Sequence, residues 1–442
     1  MADILLVNAH WGDLFSGRVR RYNRAFPPLE LLNSAALLRQ AGHRVRLVDS
    51  RARPDLPIPR DYDLAFVTLS PLDRWQCPNT DLDAAARFLR PFDPARLVLM
   101  GAQVTVATDA LLARFPAHGA LLGEPETGIV ALADGAEPGV VPGSAGRRGA
   151  ETVMGPSALA LDVKALPVPA FDLVDFRDYR YEVLGDRLGL LELTRGCPWR
   201  CKFCLLTMYG KKYRKKTVPQ MMAEIAAARA AGMKRAYFQD LEMTADRELV
   251  LELCEALRST YRDGEFEWAC QTRPDTVDGP LLVAMKRAGC SLIHYGVESG
   301  VERVVATTGK GQSLAAVEAG VALAHAAGMR TLCYFLLGLP GETLDEMWRT
   351  LAFAERVRPT YASFQVATPY PTTPFHAEFH HGDPAVFPDQ FDGPLGGDAL
   401  RALARTFTRR YHTSPRYVQT RLAGPGRRNV IAELLLLLRY LR

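Results

Sequence analysis

The stretch Arg195-Gly-Cys197-Pro-Trp-Arg-Cys201-Lys-Phe-Cys204 is a C-x3-C-x2-C run that follows directly on the apolar segment Leu188 to Leu193. Three thiolates in so short a loop suit iron and sulfide, because soft sulfur binds iron and the loop fixes the ligand spacing. They serve three irons of a four-iron cluster, which leaves one iron open to a chelating amine and carboxylate. Zinc is the competing reading. A structural zinc site takes four tight ligands, commonly from two spaced pairs, and no second C-x2-C pair occurs here.

Downstream of this run the pattern is strand, loop, helix, repeated. Apolar strand segments fall at Leu188 to Leu193, Arg235 to Gln239, Glu265 to Cys270, Leu292 to Val297, Thr331 to Leu336 and Tyr361 to Val366, with amphipathic helices between them. Six such units predict a partial (β/α)6 TIM barrel over 187–375, with functional loops at the carboxyl ends of its strands. Upstream, Asp3 to Asn8, His43 to Asp49, Asp63 to Leu69 and Arg96 to Gly101 alternate with helical patterns such as Pro28 to Gly42. This α/β alternation predicts a Rossmann-like (flavodoxin-like) parallel sheet over 1–135. Residues 136–186 read as a linker and a lead-in segment, the part up to 157 being rich in Gly, Pro, Ala, Ser and Arg without periodic apolar pattern. Residues 376–442 read as a helical cap. His376, His380 and His381 lie together there, but Gly382-Asp383-Pro384 breaks any helix that would align them, so a surface loop is expected rather than a metal site.

The 442 residues carry 54 basic and 49 acidic side chains, a net charge of +5, which is too slight a bias to imply nucleic acid. Basic clusters at Arg18 to Arg24 and Lys211 to Lys216 come with no aromatic-rich RNA module. Eight cysteines, three of them in one motif, are not a disulfide framework. Residues 1–7 pass straight into a strand pattern without a leader, and the apolar run Ile431 to Leu438 is far short of a membrane span. A cytoplasmic protein with no membrane partner is the expectation.

The cysteine run, with Phe203 before its third cysteine, resembles the cluster motif of radical S-adenosylmethionine (SAM) enzymes. Tyr295-Gly-Val-Glu-Ser-Gly300 and Leu337-Gly-Leu-Pro-Gly-Glu-Thr343 match the family at later strands. Further upstream, Pro27-Pro28-Leu29-Glu30, Gly42-His43-Arg44-Val45 and Gly123-Glu124-Pro125-Glu126 resemble the cobalamin-binding domain that precedes many such cores. The resemblance implies a [4Fe-4S] cluster on Cys197, Cys201 and Cys204, reduced by an external donor such as flavodoxin or ferredoxin. It also implies cleavage of SAM to a 5'-deoxyadenosyl radical that abstracts hydrogen from a small polar natural-product substrate, as in antibiotic biosynthesis.

For SAM, the resemblance points to Phe203, Gln239, Asp240, Arg273, Glu298, Ser299 and Leu339. Asp240 would meet the methionine amine, Arg273 its carboxylate, Glu298 and Ser299 the ribose between Gly296 and Gly300, and Leu339 the adenine. Asp240, Glu242 and Tyr370 are the catalytic candidates, with His294 as a further acid or base. Thr372 stands where the family has glycine. Cobalamin is left open: Asn8-Ala9-His10-Trp11-Gly12 departs from the pattern that supplies a histidine to cobalt, and the methyl group of Ala102 takes up room where the family often has a second glycine. With the cobalamin signals weakened, the layout resembles aminoglycoside radical diol dehydratases and deoxygenases, and radical dehydration or deoxygenation of a sugar-like substrate is the leading expectation. Cobalamin-dependent C-methylation stands beside it, and RNA modification is a third reading.

Overall fold

The computed structural model describes residues 1–10, 26–158, 160–209, 212–379 and 395–423. The amino-terminal domain is built on β1 (Asp3–Asn8), β2 (Arg44–Asp49), β3 (Leu64–Ser70), β4 (Leu97–Gly101) and β5 (Gly119–Leu121), parallel in the order β2-β1-β3-β4-β5. β1, β3 and β4 lie inside this sheet and are almost wholly buried. Their apolar residues are therefore continuous rather than alternating, as burial on both faces requires. Helix Leu29–Gln40 covers one face, and the chain leaves it through Gly42 at φ +87°.

The structure corrects one expectation here. Residues 136–157 are not a plain linker: β6 (Ser144–Arg148) and β7 (Glu151–Met154) form an antiparallel hairpin that extends the sheet beyond β5. Its strands are only five and four residues long and mix polar with apolar side chains, so they carry no apolar run from which to read them. The lead-in segment that follows buries Phe171, Phe176, Tyr179 and Tyr181 in the core of the next domain. Tyr179 also donates from its hydroxyl to Asp49 Oδ2 (2.8 Å) at the end of β2, which ties the two domains together.

Six parallel strands then follow in chain order: Leu188–Leu191, Arg235–Phe238, Glu267–Thr272, Cys290–Glu298, Arg330–Leu337 and Tyr361–Val366. The first and last do not pair, so this is the expected partial barrel. Helices Val218–Ala230, Arg247–Thr260, Gly279–Arg287, Leu314–Ala326 and Leu344–Val357 surround it. Each begins at a polar residue, Thr217, Asp246, Asp278, Ser313 or Thr343, whose side chain accepts from an otherwise orphaned N–H of the first turn. The expected carboxyl-terminal helix is Gly397–Thr413; it buries Leu400, Phe407 and Tyr411, and Tyr411 donates to the Pro359 carbonyl (2.5 Å) beside the sixth strand. His380, His381, the basic cluster Arg18 to Arg24 and the run Ile431 to Leu438 lie outside the described residues. Among the described residues, no helix is long and apolar enough to cross a membrane.

At the end of β4 the chain turns through Gly101 at φ 110°, ψ 175°. A Cβ there would stand 2.8 Å from both the backbone N and the backbone O of Ser70. Gly101→Ala is expected to lower stability by about 1–3 kcal/mol, since this backbone region is essentially confined to glycine. Urea unfolding of the apoprotein checks it, and an unchanged midpoint would contradict the packing described.

Candidate active site

The cysteine loop leaves the barrel through a two-residue strand, Thr194–Arg195, and returns through Arg214–Lys215, which pairs with it antiparallel. Gly196 (φ +90°) makes the first bend where the two limbs are closest, and a Cβ there would meet the Lys212 carbonyl oxygen at 2.5 Å. Inside this base lies Asp240, 1% exposed. Its carboxylate accepts from Leu193 N–H (3.0 Å), Thr194 N–H (2.6 Å) and the Thr194 hydroxyl (2.6 Å). At the end of the second barrel strand, Asp240 is thus hydrogen-bonded to the root of the cysteine loop. The loop itself is braced by Lys202 N–H to the Thr308 carbonyl (2.9 Å) and Phe375 N–H to the Lys202 carbonyl (3.2 Å).

Cys197, Cys201 and Cys204 are all free thiols. Burial pushes Cys197 up to about 11 and raises Cys201 and Cys204 as well. Among the described residues, no three ligating side chains converge as a single metal ion requires. A cubane cluster asks for something else, namely one thiolate on each of three irons, so that the sulfurs stand around the ligand rather than meeting at a point. The donor set fits such a cluster and not zinc.

The strand ends around this loop hold the remaining candidates, and several have partners within the protein. Arg273 donates to Asp275 (2.8 and 2.6 Å) and to the Lys310 carbonyl (2.8 Å), and it stacks 4.1 Å from the ring of Trp199 in the cysteine loop. Its fork is thus taken by Asp275, the ion pair that two residues of spacing allow. Glu298 sits at φ +71°, an uncommon backbone for a side-chain-bearing residue, and its Oε1 accepts from Lys310 Nζ (2.6 Å). Ser299 is fully buried and shares its hydroxyl with Thr350 (3.1 Å) and with Val301 N–H (3.2 Å).

The two glycines flanking this pair lie close against neighbouring side chains. A Cβ on Gly300 would lie 2.4 Å from Phe353 Cβ, and one on Gly296 would lie 2.6 Å from Lys310 Nζ. Glu242 Oε1 accepts from the hydroxyls of Thr272 (2.5 Å), Thr276 (2.9 Å) and Thr244 (3.3 Å), and burial raises the carboxyl. Leu339 joins Val301, Val304, Ala367 and Phe375 in a small apolar cluster, against which Phe203 and Leu336 pack. The apolar side expected of Phe203 and Leu339 is therefore one wall. Gln239 is half-buried at the end of the second barrel strand, its N–H donated to the Leu191 carbonyl (2.8 Å). Thr372 stands at φ +70° with its hydroxyl 2.5 Å from that of Thr207, so the departure from glycine places a branched residue in the left-handed region.

Deeper in the barrel, His294 Nδ1 lies 3.2 Å from the hydroxyls of both Tyr237 and Tyr334, and Nε2 lies 3.1 Å from that of Tyr181. The loop after β3 reaches over the barrel from the other domain. In it the exposed Cys77 thiol is within hydrogen-bonding reach of the buried Tyr370 hydroxyl, which burial raises. Trp75, fully buried, meets Tyr209 of the cysteine loop edge-on at 5.1 Å. The Ala102 methyl is wholly buried in the same core, and Gln103 accepts from Thr80 N–H (2.8 Å).

Sequence reasoning missed Trp199, Lys310, Cys77 and the carboxylates Glu124, Glu126 and Glu192. Trp199 had a visible signal in its place between two cysteines, and Glu124 and Glu126 stood in the segment Gly123 to Glu126 that marks the amino-terminal domain. The others join the site only through long-range packing. The open clefts at Asp175, Arg187 and Gly232 and at Asp3, Arg46 and Asp63 lie at the amino-terminal ends of the strands, away from all of this.

An α/β chain whose barrel ends in a three-thiolate loop, with a second parallel sheet opening onto it, is built to hold an iron-sulfur cluster beside a small-molecule site. Residues 191–354 match the radical SAM superfamily, and this segment of the chain is a radical SAM domain. The [4Fe-4S] cluster and SAM are the cofactors of this class. An uncharacterized methyltransferase of Pyrococcus horikoshii is 28% identical over 371 residues, covering 78% of this chain and 77% of the relative. Among solved structures, the cobalamin-dependent SAM radical enzyme OxsB, with aqua-cobalamin and SAM bound, superposes with a TM-score of 0.74 at 15% identity over 95% of this chain and 70% of that one. The radical SAM methyltransferase TsrM from Kitasatospora setae, with tryptophan and a SAM analog bound, gives 0.70 at 19% over 85% and 75%.

Where the two domains meet, Glu30 is 1% exposed, and burial pushes its carboxyl up to about 8, with Asp73 and Glu126 adding repulsion. Folded Glu30 therefore holds a proton that the unfolded chain releases above 4.5, and stability falls as pH rises from there through 8. Glu30→Gln removes this dependence. Relative to the parent, the variant is expected to gain stability across that window and to match it below. Urea unfolding of both apoproteins at pH 5 and pH 8 checks it, and parallel pH curves would contradict it.

Proposed function

We propose that this enzyme is a cobalamin-dependent radical SAM methyltransferase acting on a carbon of a small polar substrate. The observation that carries this reading is that the ligand-binding ends of two sheets face one another. The loop after β3 meets the barrel at the Cys77–Tyr370 and Trp75–Tyr209 contacts, so a cofactor on the first sheet would lie beside the cluster loop. Radical dehydration or deoxygenation would need no second cofactor at this junction. The methyltransferase relative and the cobalamin-bearing neighbours weigh the same way.

The residues at this junction fit a large amide-rimmed cofactor. Among the described residues, Trp75 Nε1 and Asn79 Oδ1 are buried without a hydrogen-bond partner, a donor and an acceptor on one loop. Arg74, Trp75, Cys77 and Asn79 after β3, with the backbone after Gly101, would hold it. When bound, the cluster with SAM supplies a hydrogen-abstracting radical and cobalamin supplies the methyl group.

The chain's own residues position and shield. Trp199 stacked on Arg273 forms one side of the SAM site, and the Phe203–Leu336–Leu339 wall excludes water from another. Glu298, fixed by Lys310, offers its remaining acceptor to hydroxyl groups. Glu242, raised by burial among three threonines, and the Tyr237–His294–Tyr334 group are the places where a proton can be held near a polar substrate. An external one-electron donor and a soluble small-molecule substrate complete the set.

The test is an anaerobic preparation with iron, sulfide and hydroxocobalamin, washed and analysed for metal, then incubated with methyl-deuterated SAM, reductant and candidate polar metabolites. Four irons and one cobalt per chain are expected, together with a product carrying deuterated methyl. Four irons with no retained cobalt and 5'-deoxyadenosine formed without methyl transfer would overturn the proposal in favour of direct radical elimination.

A further inference from the structure

Arg195, two residues before the first cluster cysteine, is 1% exposed and points into three carboxylates. Its guanidinium reaches Glu192 at 2.8 Å, Glu126 at 3.1 and 3.2 Å and Glu124 at 3.2 Å. Glu192 lies just beyond the first barrel strand, but Glu124 and Glu126 belong to the other domain, on the turn after β5. Across the antiparallel pair that closes the cysteine loop, Arg195 sits opposite Arg214. Arg214 donates to the same Glu124 carboxylate, at 2.6 and 3.0 Å. One side chain of the amino-terminal domain thus grips both limbs of the cluster loop. Asn33 orients Glu126 (3.1 Å), and Trp75 covers Arg195 with its ring centroid 6.0 Å from the guanidinium carbon.

We infer that Glu124, assisted by Glu126, is a positioning residue for the iron-sulfur cluster, and that the amino-terminal domain is a structural part of the radical site whether or not it carries cobalamin. The geometry leaves little else for these groups to do. A buried arginine needs its charge matched and its donors satisfied, and a single barrel carboxylate, Glu192, would leave part of its fork unpaired. A two-pronged contact from Glu124 to Arg214 and a single hydrogen bond from Arg195 to the same carboxylate also fix the spacing of residues 195 and 214, and hence the mouth from which the three cysteines project. A domain kept only to bind cobalamin would not need its acidic turn locked to the cluster loop of its neighbour.

The experiment uses the full chain, anaerobically reconstituted, as Glu124→Gln, Arg214→Met and the double variant, with Glu318→Gln as control because its exposed pair with Arg356 lies far from the loop. Iron content, deuterium uptake of the cluster loop, SAM affinity and the cluster's midpoint potential are read. Both single variants are expected to speed exchange in the loop and to weaken SAM binding several-fold, with the double variant no worse than the poorer single one. The potential is expected to rise in Glu124→Gln, which loses a negative charge, and to fall in Arg214→Met, which loses a positive one. General destabilisation would not shift the two in opposite directions. A folded Glu124→Gln protein holding four irons, with loop exchange, SAM affinity and potential as in the parent, would overturn the inference. Should Glu124→Gln not fold, Arg214→Met decides alone, and unchanged loop exchange there overturns it.

Discussion

The bridge from Glu124 to Arg195 and Arg214 is the contact on which the site depends, because it joins both limbs of the cluster loop to the other domain. In a buried setting such a network is poor evidence of net stability, since desolvation offsets most of the attraction. Removing one partner is another matter and typically destabilises by about 3–5 kcal/mol, the cost of a buried charge left alone. The arrangement therefore favours one geometry over alternatives more than it strengthens the fold. Asp240 acts in the same sense from below, holding the strand end from which the loop departs.

Seen from that loop, much of the surrounding machinery is bracing. Gly300 admits the helix that carries Phe353, Gly296 admits Lys310, and Ser299 spends its hydroxyl on Thr350. The strained backbone at Glu298 is held by Lys310 and that at Thr372 by Thr207, and strain of this kind persists only where the surroundings determine it. The radical chemistry of the class demands that one reacting hydrogen be selected while water is kept out. Rigid strand ends with their polar groups already paired meet that demand better than free side chains would.

The architecture was largely legible in the sequence, and for physical reasons. Strands buried on both faces show as apolar runs, polar caps mark helix starts, and cysteines three and four apart have few uses. The β6–β7 hairpin was not legible, because its strands, Ser-Ala-Gly-Arg-Arg and Glu-Thr-Val-Met, are too short to show an apolar period. Among the candidate residues, chemical type was readable but allegiance was not. Arg273 and Asp275 are two apart, so an ion pair could be weighed from the sequence, whereas the partners of Asp240, and Thr350 beside Ser299, lie tens of residues away. Gly123-Glu124-Pro125-Glu126 was visible as a domain signature. That its carboxylates meet Arg195, roughly seventy residues on, is a property of the domain interface that no local pattern carries.

The most direct test of the whole account is whether the three-cysteine loop holds a four-iron cluster with one iron open to SAM. Electron paramagnetic resonance of the anaerobically reduced protein, recorded without and with SAM labelled with 15N at the amine and 17O at the carboxylate, answers it. The account predicts a single [4Fe-4S]+ signal that changes on SAM addition and acquires hyperfine coupling from both labels. A signal indifferent to SAM, with no coupling from either label, would contradict it.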